Sequence, residues 1–409
     1  MSALPLSGVK ILDLTRVLAG PLSGQMLGDL GAEVIKIERP GTGDEARAFG
    51  PPYLTDPEGK ENNNSSFYLC ANRNKKSVTV NIAQSEGQEI VRGLARDVDV
   101  FMENYKVGDL KRYGLEYESI KKINPRIIYC SVTGFGQTGP YAARAGYDAI
   151  FQAMGGLMSV TGHMDGEPGA GPMKVGTSVV DYMTGMNISI GVLSALYHRK
   201  VNGGAGQHID ICLLDTVIAS LSHHFQIYLV SGKSPPRRGT WGNGGMPAGV
   251  FRCADGELML VVGNDGQFAR TCAVLGAPEL AANPRFLKNK DRVINDKELM
   301  AILAKLFARN TVNHWLDKME DPGIPCGPVN DFARVFADPH VQERGMWVKV
   351  KHKFEPELSL IRNALTFSET PITEYRAPPL LGENTLEVLS SKLGYDETKI
   401  EDLKKQGVV

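Results

Sequence analysis

The sequence predicts an α/β protein: an open, doubly wound parallel sheet in a large domain, followed by a smaller α+β domain. Three observations carry that expectation. Short apolar runs alternate with helical patterns from Val9 to Ser131, the rhythm of strand–helix–strand units. The turn after the first run is rich in small residues, through Gly20, Pro21 and Gly24. A stretch dense in Pro and Gly, Ser231 to Pro247 (SGKSPPRRGTWGNGGMP), then separates this region from one with a different order of elements.

Taken in order, a strand at Val9–Leu14 leads through a Gly-rich helical turn to a second strand at Glu33–Glu38. Strand Ser77–Asn81, helix Ser85–Asp97, strand Val98–Glu103, helix Tyr117–Ile123 and strand Arg126–Ser131 continue the pattern. Such alternation argues for a Rossmann-like sheet, on which ligands collect at the carboxyl ends of strands. Those ends carry Thr15-Arg16-Val17, Glu38-Arg39, Glu103-Asn104 and Thr133-Gly134-Phe135. A helix over Tyr182–Arg199, a strand over His208–Cys212 and a buried helix over Leu213–Val230 complete the large domain. Beyond the Pro/Gly stretch, Gly249–Val262 reads as a hairpin turning at Asp255-Gly256. Helices follow at Gln267–Leu275, Lys297–Arg309 and Thr311–Glu320, and GIPCGPVND (Gly323–Asp331) turns the chain. The expected divisions are a large domain over 1–234, a small α+β domain over 235–345, and a segment over 346–409 that returns to the large domain.

The chain has 409 residues, with 45 Lys and Arg against 46 Asp and Glu, so no basic field suggests nucleic acid. Its six cysteines are scattered without a C-x-x-C pair and read as free thiols in a reducing compartment. Met1–Lys10 lacks the pattern of a signal or transit peptide, and no uninterrupted apolar run spans a bilayer. A soluble cytoplasmic protein is the expectation.

One stretch, Val175 to Leu213, holds a single carboxylate, Asp181, among small and apolar residues, with Gly185 four positions on. The helical pattern that follows puts Asp181 at or just before a helix N-terminus, where peptide dipoles favour an anion; a plain N-cap has the same appearance. The first turn reads RVLAGPLSG, neither G-x-G-x-x-G nor a phosphate loop, which excludes the dinucleotide and nucleotide cradles. Lys36, Arg39, Arg73, Lys75, Lys76 and Arg112 lie near the strand ends. Together they suit a phosphorylated ligand that is not a dinucleotide; singly, each reads as a solvated surface charge. The eight histidines show no metal-ligand spacing, and no G-x-S-x-G elbow is present, so neither a metal nor a Ser triad is expected.

Several stretches in order resemble the class III CoA-transferases of the formyl-CoA transferase and carnitine CoA-transferase type. They are LDLTRVLAGPLSGQMLGDLGAEVIKIERPGTGD, NRNKKSVTVNI, ENYKVGDLKRYGL, IIYCSVTGFGQTGPYAARAGYDAI, the Asp181 stretch, GIPCGPVND and PPLLGENT. Within that family, NRNKKS, AGYDA and the RRGTWG segment resemble the succinate–hydroxymethylglutarate branch, which handles dicarboxylates. The resemblance implies that Asp181 is the nucleophile, forming an aspartyl–acyl anhydride and then an aspartyl-CoA thioester. It implies CoA contacts at Val17, Arg39, Asn104 and Arg112, a pantetheine path beside Gly134 and Phe135, and a further phosphate contact at Lys75. CoA is then a substrate, with no permanently bound cofactor, and the other substrates are small carboxylic acids. The resemblance also implies an interlocked homodimer, without nucleic acid or membrane partners. GNGGMP (Gly242–Pro247) aligns with a mobile loop of the family, or is simply the domain crossing.

Two departures bear on the substrate. Leu18 stands where formyl-CoA transferases carry Gln, which disfavours formate and oxalate. Gly146-Tyr147-Asp148 replaces the G-H-D of the related α-methylacyl-CoA racemases, and a Tyr of ordinary pKa, about 10, is a poor base at neutral pH. Arg16 and Arg144 suit a distal carboxylate or a structural ion pair equally. The alternatives to a transferase of succinyl-CoA and glutarate type are the racemase and a non-catalytic CoA-binding subunit.

Overall fold

Lys10–Leu14 (KILDL) sends Ile11 to one side of a sheet and Leu12 and Leu14 to the other, all fully or almost fully buried. A strand buried on both faces belongs at the centre of a parallel sheet covered by helices. The computed structural model of this chain describes residues 3–56, 58–59 and 61–409. Met1 and Ser2, with which the expected large domain and the N-terminal stretch begin, lie outside the described residues.

The large sheet has six strands, all parallel, in the spatial order Lys75–Thr79, Glu33–Glu38, Lys10–Leu14, Val100–Glu103, Ile128–Thr133, Gln207–Cys212. Leu12 is in register with Ile35 on one side and Phe101 on the other. Period-two alternation continues in the neighbours: Ile35, Val78, Phe101 and Tyr129 join one core, and Val34, Val100, Met102, Ile128 and Cys130 the other. The chain runs outward from the first strand through the second and third, then returns to the first strand's other side. The strand order therefore reverses between Lys10–Leu14 and Val100–Glu103, and a crevice opens above their carboxyl ends.

The C-terminal segment covers the free edge of Lys75–Thr79. Asn384 Oδ1 accepts from Ser77 N–H at 3.0 Å, Thr385 Oγ1 from Thr79 N–H at 3.0 Å, and Val408 O from Asn81 N–H at 2.7 Å. An edge that would otherwise template pairing is thereby capped. Val388, Leu389, Ile400 and Leu403 of helices Thr385–Leu393 and Glu397–Lys405 complete the core on that side.

The chain forms two units: Met1–Leu157 with Val175–Val230 and Gly345–Val409, and Met158–Lys174 with Ser231–Arg344. The divisions at Ser231 and Gly345 differ slightly from those expected, and Met158–Lys174 leaves the first unit. In the second unit, Ala248–Arg252 and Glu257–Val261 form the expected hairpin, with Cys253 N–H donating to Gly256 O. Cys326–Pro328, within GIPCGPVND, adds a third antiparallel strand. Helices Asp265–Val274, Asp296–Phe307 and Val312–Glu320 pack on it through Phe268, Phe307 and Trp315.

Three expectations need correction. Leu213–Val230 is two helices, Leu213–Ser220 and Ser222–Ser231, not one. Nor is it buried throughout: Leu213, Thr216 and Val217 of the first helix are, but no residue of the second helix is, and Leu229 is 73% exposed. The central helix runs Val179–Val201, and among the described residues it is the one long and apolar enough, by length and composition, to cross a membrane. Within this unit it packs against helix Ala19–Asp29 through buried Val180, Ile188, Val192 and Ala195.

Candidate active site

Asp181 is the third residue of the helix Val179–Val201, inside its first turn, so it is not the N-cap. Ser178 occupies the cap position, yet its side chain makes no cap hydrogen bond. Another carboxylate does that work. Asp148 Oδ2 accepts from the backbone N–H of Val180 at 2.7 Å and of Asp181 at 3.1 Å, satisfying two donors that a helix start leaves open. Asp148 begins helix Asp148–Met154, is 8% exposed, and its other oxygen accepts from Gln152 Nε2. Gln152 Oε1 in turn accepts from Val175 N–H at 2.8 Å. The residues leading to the nucleophile candidate are thus tied at both ends.

Two carboxylates share one helix start, and no cation forms an ion pair with Asp181 among the described residues. Burial, with the charge of Asp148 second, pushes the Asp181 carboxyl up to about 7. Gly185 explains how the helix reaches its neighbour. A Cβ there would lie 2.8 Å from Ala19 O and 3.0 Å from the Leu22 side chain. The absence of a side chain lets the start of helix Ala19–Asp29 approach within one turn of Asp181.

The switch-point crevice is built from Thr15 to Leu18. Asn104 clasps the backbone of Arg16 twice: its Oδ1 accepts from Arg16 N–H at 3.0 Å and its Nδ2 donates to Arg16 O at 2.8 Å. Val17 has φ 71°, a left-handed conformation unusual for a β-branched residue. Its N–H is held by Asp44 Oδ1 at 3.0 Å. Asp44 is ion-paired to Lys36 at 2.8 Å, and Lys36 Nζ also donates to Thr15 O at 2.7 Å. Strain of this kind persists where the surroundings over-determine it.

Beside this loop, at the carboxyl ends of four strands, lies a cavity of about 860 Å³. Arg39 and Lys106 stand exposed on its wall with Arg112, while Tyr105, Tyr113 and Phe49 supply aromatic surface. Arg112 lies over the Tyr113 ring at 4.7 Å. Arg16 stacks over Tyr105 at 4.8 Å and pairs with Glu45 at 2.5 Å. Cations with aromatic faces suit a phosphorylated ligand carrying a flat ring. Asp181 does not line this cavity.

The chain matches CoA-transferase family III over residues 6–385. It belongs to that family. A succinyl-CoA:glutarate CoA-transferase of Homo sapiens is 44% identical over 99% of this chain and 90% of its own. A succinate–glutarate CoA-transferase of Agrobacterium fabrum is 43% identical over 94% of this chain and 95% of its own. In structure, a CAIB/BAIF family protein from Brucella suis matches with a TM-score of 0.84 at 40% identity, covering 96% of this chain and all of the other. The protein is an enzyme that transfers CoA, and CoA thioesters are its substrates. The racemase and the non-catalytic subunit are set aside.

The candidate residues divide between the crevice and the carboxylate pair. Arg39 and Arg112 line the cavity. Val17 and Asn104 shape the loop beside it, the Asn104 amide being spent on Arg16 rather than left free for a ligand. Gly134 and Phe135 fall on the Asp181 side: Phe135 packs edge-on to Phe151 at 5.1 Å, one turn from Asp148. A Cβ at Gly134 would meet Phe151 at 2.5 Å. Lys75 is corrected: its ammonium is fully buried, paired with Asp13 at 3.1 Å and donating to Pro21 O at 2.7 Å, so it faces no ligand. Arg73 is likewise spent on Asp29 at 2.6 Å, and Lys36 on Asp44. Leu18 is 2% exposed and belongs to the core. Gly242–Pro247 is stapled within the second unit, where Asn289 accepts from Met246 N–H and donates to Gly244 O.

The sequence reading did not name Lys106, Asp148 or Gln152 as site residues. The signal for Asp148 was present in Gly146-Tyr147-Asp148, read there only for its missing His. Gln152 follows Asp148 by one helical turn, a spacing that puts both on one face. Among the described residues no group of His, Cys, Asp and Glu is arranged to hold a metal ion.

Proposed function

We propose that the enzyme transfers CoA from succinyl-CoA to glutarate or a similar dicarboxylate, with Asp181 as the nucleophile. The substrates named for the human and Agrobacterium relatives support the choice of acids. The observation that carries the nucleophile is the pairing of Asp181 with Asp148 at one helix start, with no cation ion-paired to either among the described residues. A carboxylate in that setting is costly to keep ionised and gains by becoming a neutral acyl derivative.

The reaction then balances without an added cofactor. An Asp181 oxygen attacks the succinyl carbonyl, the C–S bond breaks, and CoA leaves as thiolate from a mixed anhydride. The thiolate attacks the aspartyl carbonyl, succinate departs as carboxylate, and an aspartyl-CoA thioester remains. A carboxylate of the acceptor attacks that thioester, giving a new anhydride and thiolate again. Attack of the thiolate on the acceptor's acyl carbon releases the product and restores Asp181. Both intermediates hydrolyse readily, so water must be kept out while they exist. Arg39, Arg112 and Lys106 hold the CoA phosphates, Val17 presents its strained backbone to the nucleotide, and Gly134 and Phe135 border the pantetheine. Asn104 acts by shaping the Arg16–Val17 loop.

The working form is a homodimer in the cytoplasm. Ile190 and Tyr197 of the central helix, and Leu229 and Val230 of helix Ser222–Ser231, are exposed apolar side chains that suit contact with a second copy rather than water. All six cysteines are free, as in a reducing compartment. Mass spectrometry of the enzyme with succinyl-CoA and a panel of dicarboxylic acids tests the reading. Glutaryl-CoA forms with wild type and falls at least about 1,000-fold with Asp181→Ala. Equal turnover by both proteins overturns it.

A further inference from the structure

We propose that Asp148 is a positioning residue for the transfer: it fixes the backbone of Asp181 and, by its charge, destabilises the free carboxylate relative to the acylated forms. The inference rests on Asp181 being the nucleophile and adds a role for a residue that never touches substrate.

The first part is geometric. The central helix lacks a cap of its own, and Asp148 reaches in from a different helix to accept from Val180 and Asp181 N–H through one oxygen. The amide N–H of the nucleophile itself is therefore in the grip of Asp148. Gln152 fastens the second oxygen and, by donating to Thr177 O at 3.3 Å and accepting from Val175 N–H, braces the approach segment. A nucleophile must meet its electrophile along a narrow line, and small misplacements cost large factors in rate. Asp148 and Gln152 supply that definition on a helix start that would otherwise fray.

The second part is electrostatic. The titratable groups facing Asp181 are Asp148, from helix Asp148–Met154, and Tyr182, its neighbour, whose hydroxyl is hydrogen-bonded to the Cys70 thiol. None is cationic. Ionised Asp181 thus sits beside a like charge in a half-buried place, and the repulsion ends when its oxygen is acylated or replaced by sulfur. The Asp148 carboxylate is itself held in place by two backbone donors and an amide. The same repulsion makes Asp181 a stronger base than an ordinary aspartate, and so a better nucleophile once ionised. A cationic neighbour would do the opposite.

Asp148→Asn removes the charge while its amide oxygen still accepts from both backbone donors; its NH2 then meets the Gln152 amide donor, so that one bond is lost, as it also is in Gln152→Ala. The measurement is succinyl-CoA:glutarate exchange against pH, together with the mass of the Asp181 peptide after rapid quenching with succinyl-CoA. With Asp148→Asn, the acid limb of kcat/KM moves down by roughly half a pH unit or more, as removal of a like charge requires. The plateau kcat falls about 10-fold while KM for acyl-CoA stays within about 2-fold, and the thermal midpoint falls no further than in Gln152→Ala. Gln152→Ala, which leaves both charges in place, lowers kcat without moving the limb. An acid limb that stays put in Asp148→Asn, or a loss confined to KM, overturns the proposal. An Asp181 peptide that gains no CoA or acyl mass in the wild type overturns instead the assignment of Asp181, so the two failures are distinguishable.

Discussion

Two parts of the first unit bury carboxylates, and they do so in opposite ways. Under the Thr15–Leu18 loop, Asp13, Glu38 and Asp44 share their surroundings with Lys36, Lys75 and Arg47. Burial alone would raise Asp13 and Glu38, yet the charges of Lys75 and Lys36 on one and the hydrogen bond and charge of Arg47 on the other hold both below the usual carboxylate range. At the start of the central helix, Asp148 is held by backbone and amide donors, and Asp181, buried beside it, rises to about 7. A neutralised network rigidifies the surface on which a ligand rests. A carboxylate left beside another is costly to keep ionised. A raised pKa by itself does not mark the reactive group, since burial lifts Glu103 to about 7 as well. Glu103 accepts from the Tyr105 backbone at 2.8 Å, and the charged groups acting on it are Asp210, which raises it, and Arg16, which lowers it; Asp181 has no such cation.

The largest effect is expected from breaking the neutralised network. Lys36→Met leaves Asp44 and the Thr15 carbonyl buried without their ammonium, and should cost about 3–5 kcal/mol in urea unfolding. Stability within about 1 kcal/mol of wild type would mean the network is not under the constraint described.

The opposite sign is expected at the other site. A folded pKa above the unfolded value means that stability declines as pH rises from near 4 to about 7 and stays low above it. Asp181→Asn should therefore gain about 2 kcal/mol at pH 8, half of what the full shift would give, because the carboxyl keeps some solvent. The gain should vanish near pH 4, and thermal unfolding at the two pH values decides it. Identical melting at both would show that the carboxylate carries no penalty.

Gly185→Ala should cost about 1–3 kcal/mol, because the new methyl meets backbone at Ala19 and cannot simply be rotated away. It also shifts the helix that carries Asp181, so kcat should fall further than in Asp148→Asn. Smallest in free energy are Arg39→Ala and Arg112→Ala, each raising KM for acyl-CoA about 10-fold, or about 1.4 kcal/mol, and more steeply at low salt. A loss in kcat with KM unchanged would place these cations away from the CoA phosphates.

Much of this was legible in the residues. Strand Glu33–Glu38 and helix Tyr117–Ile123 fall where the pattern put them. The third strand, expected at Ser77–Asn81, runs Lys75–Thr79: it begins where Lys75 pairs with Val34, and Asn81 N–H is taken by Val408 O instead of the sheet. No local pattern announces a partner more than 300 residues away. Asp181 was legible as a helix-start carboxylate. Its place inside the first turn was not, because the cap that starts the helix comes from Asp148.

The sequence by itself determined the parallel sheet, the hairpin of the second unit and the aspartate most worth testing. These follow from periodicity, turn chemistry and a motif, all of them local. The tertiary structure alone decided which charges are available. Arg39, Lys106 and Arg112 face a cavity, whereas Lys36, Arg73 and Lys75 are spent on buried aspartates. The physical reason is that a charge is defined by what lies within a few ångströms of it, and those neighbours come from strands and helices far apart in the chain.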